Sequence, residues 1–114
     1  MWFFKKKNKT EEIIDNKQTI ASMAATVEVL ISLGQDNEEL VTALKAIKDK
    51  ITYFNPSQKE DVLAVDKKIE AKLGDLKIEI SKAKQKGDYS AANELASDIK
   101  DGLVVERNAK ANIN

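Results

Sequence analysis

The residues SQKEDVLAVDKKIEAKLGDLKIEISKAKQKG, numbers 57 to 87, decide the fold. Val62, Val65, Ile69, Leu73, Leu76, Ile80 and Ala83 follow one another at steps of three or four, which places them on one face of an α-helix. Asn55-Pro56 stands ahead of them, and the residue before a proline is pushed out of the α region. Ser57 with Glu60 three positions on has the form of a capping box, so the pattern predicts a helix that starts at Ser57 and stops at Gly87. At 1.5 Å per residue a helix of about 29 residues is roughly 43 Å long, against a radius of gyration of about 13 Å for a compact chain of this size. The predicted shape is therefore elongated. Gly74 costs about 1 kcal/mol against Ala inside a helix, which makes a kink at residues 72–75 the alternative to a straight rod.

Working outward, Leu40, Leu44, Ile47, Ile51 and Phe54 form a second stripe, started by the pair Asp36 and Glu39 and ended by Asn55-Pro56. Upstream, Ile13, Ile20 and Val27 recur at intervals of seven, with Met23, Ala24, Leu30 and Ile31 between them. This predicts a helix over 11 to 33 capped by Gly34. Downstream of Gly87-Asp88, the residues Ala92, Leu95, Ala96, Ile99 and Leu103 share a face, and the tight turn makes this helix an antiparallel neighbour of the third. Gly102 and the polar ending from Arg107 to Asn114 predict fraying beyond about residue 106. No alternating strand pattern competes. The expected class is all-α: an elongated antiparallel bundle or hairpin of three to four helices with a long third helix. It comprises a tail at 1–9, one helical domain at 10–106 and a frayed polar end at 107–114.

Composition removes most chemistries. The 114 residues include no His and no Cys, so a Ser-His-Asp triad, a thiolate nucleophile, an imidazole or thiolate zinc site and a disulfide are all excluded. Nineteen basic residues balance nineteen acidic ones, which removes the global positive field of a general nucleic-acid binder. Arg107 is the only arginine, and lysine lacks the guanidinium fork that reads base edges, so sequence-specific nucleic-acid recognition is not expected. Asp66 with Glu70, Asp75 with Glu79, and Glu94 with Asp98 and Asp101 recur at helical spacing. Lysines interleave with them, and mixed charge of this kind belongs to a solvated face rather than to a metal site. No catalytic, cofactor-binding or metal-binding residue is assigned, no small-molecule substrate is expected, and the chain is read as non-enzymatic.

The amino-terminal tail departs from the rest. Trp2, Phe3 and Phe4 are three of the six aromatic residues, and four lysines follow by position nine with no acid among them. Aromatic anchors next to lysines suit docking on an acidic protein partner or, more weakly, on a membrane surface. The partner-binding candidates are therefore Trp2, Phe3, Phe4, Lys5, Lys6 and Lys7. Leu63 and Ile78 join them as off-stripe apolar residues of a helix too long to be covered from within the chain. No apolar run approaches the roughly 18 residues of a spanning helix, and the tail has the wrong order for a secretory signal, aromatics preceding lysines. The expectation is a cytoplasmic or virion-associated, self-associating interaction protein, an adaptor or structural component of a larger assembly. The lysine, asparagine and isoleucine bias points to a bacterial or phage source. The alternatives are peripheral membrane or nonspecific nucleic-acid binding through the tail, and a small inhibitor of one host protein.

Overall fold

In a computed structural model that describes the backbone of residues 9–112 and the side chains of residues 16–112, the apolar stripes become helices. They are α1 (Lys9–Leu33), α2 (Glu38–Thr52), α3 (Glu60–Lys86), α4 (Ser90–Asp98) and α5 (Val104–Ala111), the last two fused into one rod by a π-helical turn at Ile99–Leu103. The chain is all-α, 85% helical, with four rods and no strand among the described residues. α1 packs against α2 and α3, and the C-terminal rod packs against the same two, while the diagonal pairs α1–α4 and α2–α3 make no close backbone approach. Asn37 beside Asn93 marks one end of the bundle, and Asn16, Asp66 and Arg107 come together at the other. α1 and α3 therefore run in parallel, and so do α2 and the C-terminal rod. The principal extents are 53 × 33 × 17 Å, with a radius of gyration of 15.6 Å, so the molecule is long and flat as its third helix requires.

The stripe of α3 is buried from Val62 to Ala83, and Val65, Ile69, Leu73, Leu76 and Ile80 join Val27, Leu30, Leu44, Ile47 and Ile99, those five all fully buried, in a single core. The helix runs unbroken through Gly74, which is exposed and has open space where a Cβ would stand. Burial of Leu73 and Leu76 on either side outweighs the roughly 1 kcal/mol that glycine costs there. Gly87 ends α3 with φ 74° and donates its N–H to the Ala83 carbonyl at 2.7 Å, the left-handed cap read from the sequence.

Three helix caps differ from the sequence reading, each for a local reason. α3 starts at Glu60 rather than Ser57. The Ser57 N–H donates to Asn16 Oδ1 at 2.8 Å, and its hydroxyl oxygen accepts from the Lys59 N–H at 3.1 Å, so the serine shapes the connection from α2 instead of capping. α2 is capped by Asn37, not Asp36, with Oδ1 of Asn37 accepting from the Leu40 N–H at 2.9 Å. Gly34 is not a left-handed cap, since Gly87 alone has positive φ among the described residues. It is buried, and a Cβ there would lie 2.6 Å from a Leu40 methyl, so the α1–α2 hairpin needs glycine for close packing.

The largest difference is at the carboxyl end. The expected fraying beyond residue 106 is overturned: α5 continues to Ala111 and Arg107 is 1% exposed. The cause is the π turn. Ile99 and Val104 are five residues apart, and both are fully buried, which a regular α-helix does not allow on one face. The Val104 N–H reaches back to the Ile99 carbonyl, and the extra residue thus accommodated turns Val104 inward in place of half-buried Leu103 and brings Arg107 onto the core side three residues later.

Candidate functional site

At the Arg107 end, three helices and a loop meet in a buried polar cluster. Arg107 Nε donates to Asp66 Oδ1 at 3.0 Å, and Nη2 donates to Asp66 Oδ2 at 3.3 Å and to the Asn55 carbonyl at 2.8 Å. Asn16 Nδ2 donates to Asp66 Oδ2 at 3.0 Å, and the guanidinium carbon lies 4.4 Å from the centre of the Phe54 ring. Asp66, read from the sequence as part of a solvated acidic pair with Glu70, is therefore a core residue with 1% exposure. The planar fork of arginine and the two carboxylate oxygens satisfy one another, and asparagine and backbone groups take the remaining valences. A cluster sealed in this way reaches no ligand. It ties α1, α3, α5 and the α2–α3 connection at fixed register.

The other acidic residues keep the surface role expected of them. Lys72 lies 3.9 Å from Asp75 and Lys82 lies 3.7 Å from Glu79, while Glu70, Glu94, Asp98 and Asp101 are exposed. Among the described residues no three acidic side chains converge as a metal site requires. Glu106 and Lys110 form an i, i+4 pair at 2.9 Å. The hydrogen bond from Lys110 holds the Glu106 carboxyl below its ordinary value, and the same bond holds the Lys110 ammonium above its own. The backbone N–H and hydroxyl of Ser90 likewise lower the Asp88 carboxyl, at the entry to α4.

Two surface features among the described residues bear on function. A cleft of about 510 Å³ between α2 and α4 is lined by Glu38, Glu39, Thr42, Asn93, Ser97 and Lys100, and Oδ1 of Asn93 at its floor has no hydrogen-bond partner. Its charges are of mixed sign, and it holds no nucleophile next to a base. The second feature is an apolar groove of about 290 Å³ where α1 faces the α2–α3 connection, walled by Ile20, Ala21, Ala24, Phe54 and Pro56 together with Lys17 and Thr52. It opens beside the outer face of α1, where Ala21, Ser22, Ala25, Val29 and Ser32 are exposed, Val29 by 49%. Between Lys17 and Asp36 the chain has one charged residue, Glu28, and that carboxylate is paired with Lys48 of α2. The outer face of α3, by contrast, carries Lys67, Lys68, Glu70, Lys72, Asp75, Lys77 and Lys82.

Of the partner-binding candidates, Trp2, Phe3, Phe4, Lys5, Lys6 and Lys7 lie outside the described residues. Ile78 is 55% exposed, and Leu63 is half-buried. They stand 15 positions apart, roughly 22 Å along the helix, and form no common patch. The low-charge face of α1 was not singled out from the sequence, although the scarcity of charge from residue 18 to 35 was its visible signal. Compared with protein-family models, curated proteins and solved structures, the chain gives no match.

Proposed function

We propose that the protein is a non-enzymatic helical interaction protein, an adaptor or structural component of a larger bacterial or phage assembly, and that it presents the outer face of α1 to another protein. The observation that carries this reading is the contrast between two solvent-facing helix surfaces of one molecule. A solvent-facing helix normally bears charge on its outer side, as α3 does. From Ala21 to Ser32, about three turns, the α1 face has small or apolar side chains, and its single carboxylate is already neutralised by Lys48. Small residues let another backbone approach closely, and no unpaired charge has to be stripped of water when they are covered.

Site-specific photo-crosslinking in the native host tests this. A photoreactive residue at Ser22, Ala25 or Ser32 is expected to give adducts of one shared mass, and the same residue at Lys72 or Lys82 of α3 is expected to give none of that mass. Equal adducts from both helices, or adducts of that mass from α3 alone, would sink the assignment of the surface.

A further inference from the structure

The charges on the outer face of α3 are ordered about a stripe. Ala64, Lys67, Ala71, Gly74, Ile78 and Ser81 are all exposed and follow one another at alternating steps of three and four, on the side of the helix away from its buried residues. A seven-residue repeat of this kind is the seam of a two-stranded coiled coil, and the residues flanking the seam decide what it pairs with. Ile78 is its large apolar side chain, 55% exposed. Glu70 and Lys77 stand on one flank, and Asp61, Lys68, Asp75 and Lys82 on the other, every one of them exposed. Asp75 and Lys82 touch Lys72 and Glu79 at 3.9 and 3.7 Å, whereas Glu70 and Lys77 take part in no ion pair among the described residues.

We propose that two copies of the chain pair through this face, α3 antiparallel to α3, about a two-fold axis between residues 72 and 73. In that register Ala71 faces the partner's Gly74, which lets the backbones approach closely, and Ile78 lies on the stem of the partner's Lys67. Glu70 then stands beside the partner's Lys77, Lys68 beside the partner's Asp75, and Asp61 beside the partner's Lys82. The two-fold repeats each pair, so every flanking contact between charged residues joins opposite signs. Other arrangements lose this. A parallel pair sets Glu70 against the partner's Asp75 and Lys77 against the partner's Lys82. An antiparallel pair shifted by one heptad sets Glu70 and Lys68, or Lys77 and Asp75, each against its own counterpart. Ile78 and Leu63, remote from each other on one chain, come within about one helical turn across the axis. The charge pattern is thus complementary to its own reverse, which favours a second copy over an unrelated protein. A seam of about 26 Å along helices about 10 Å across is at the low end of specific interface sizes, so the dimer should form at micromolar concentration and weaken with salt.

Pairing through α3 goes beyond the docking proposed for α1 and uses a different helix, so either can fail while the other stands. Sedimentation of the full chain from about 1 µM to 1 mM, at about 0.05 M and 1 M salt, measures it. A monomer–dimer equilibrium that weakens at high salt is expected. Glu70→Lys sets like charges against each other on both sides of the axis and should weaken the dimer about tenfold, and Lys77→Glu should do the same. The Glu70→Lys, Lys77→Glu double variant restores opposite signs and should return the dissociation constant to within about threefold of the parent. Positions 70 and 77 lie about 10 Å apart on one helix, so the rescue can come only from another copy. Both are exposed, and all three variants should keep the helical circular dichroism of the parent. Direction is measured separately, because the chain has no cysteine. Lys67→Cys and Ile78→Cys proteins, once mixed, should oxidise mainly to the heterodimer. A monomer at every concentration, a dimer indifferent to either charge reversal, or a double variant as weak as the single ones would overturn the proposal. Ile78→Cys homodimers as the main oxidation product would overturn it in favour of a parallel pair.

Discussion

Replacing Arg107 with Met removes the one cation from a cluster whose anion, Asp66, is 1% exposed. The variant keeps much of the apolar bulk but leaves a buried carboxylate with only the Asn16 amide as donor, and orphans the Asn55 carbonyl. Breaking a buried pair in this manner costs about 3–5 kcal/mol, because desolvation of the remaining charge is no longer offset. For a chain of this length about 1 kcal/mol corresponds to about 4 °C, so the melting temperature should fall by about 12–20 °C. Asp66→Leu alone should cost a similar amount. The Asp66→Leu, Arg107→Met double variant removes both charges and should lose only about 2–4 kcal/mol, mostly from the orphaned Asn16 and Asn55 groups, rather than the sum of the single losses. Urea unfolding followed by circular dichroism measures all three. If Arg107→Met costs less than about 1 kcal/mol, the carboxyl-terminal helix frays as its polar sequence suggests, and the account of the cluster is wrong.

Two alanine substitutions should have opposite signs. Gly34→Ala forces a methyl to within 2.6 Å of buried Leu40 and should destabilise by about 1–3 kcal/mol, whereas Gly74→Ala meets open space in mid-helix and should stabilise by about 0.5–1 kcal/mol. Deleting Gly102 converts the π turn to a regular one and leaves Val104 and Arg107 in place, so thermal melting should stay close to that of the parent. Inserting one alanine after Gly102 rotates Arg107 by about 100° and should cost as much as losing it. The chain has no histidine, the one side chain whose ordinary value lies between pH 5 and 8, so stability should be level between about pH 5 and 9. The lowered Asp88 and Glu106 carboxyls contribute above their unfolded values, and this is lost as acid takes the pH down through their folded ones. The raised Lys110 contributes fully below its unfolded value and loses this as the pH rises through its folded one. A transition centred near pH 7 in a denaturation series would contradict this.

The apolar spacing made the helices legible, because burial of a stripe depends only on period and α3 obeys it from Val62 to Ala83. Caps were less so. Ser57 and Glu60 match a capping box, yet the backbone of Ser57 is bound by Asn16, 41 positions away, and short patterns cannot anticipate a partner so distant in sequence. Asp66 looked like half of a surface pair for the same reason: its burial follows from Arg107, and Arg107 turns inward only because the π turn adds a residue between Ile99 and Val104. The sole arginine among so many lysines, three residues after a valine, was the only trace of this in the sequence. The α1 face was legible as a lack of charge, and the groove was not, since Phe54 and Pro56 reach it through a connection whose path is set by tertiary contacts.

The isolation of that arginine gives the molecule a built-in clock. A dicarbonyl reagent that modifies guanidinium groups has one target in the whole chain, and the target is sealed behind Phe54 and Asp66. Modification can proceed only through moments when the carboxyl-terminal rod lifts away, so with a reagent slower than reclosing its rate reads the population of a single locally open state rather than an average over many sites.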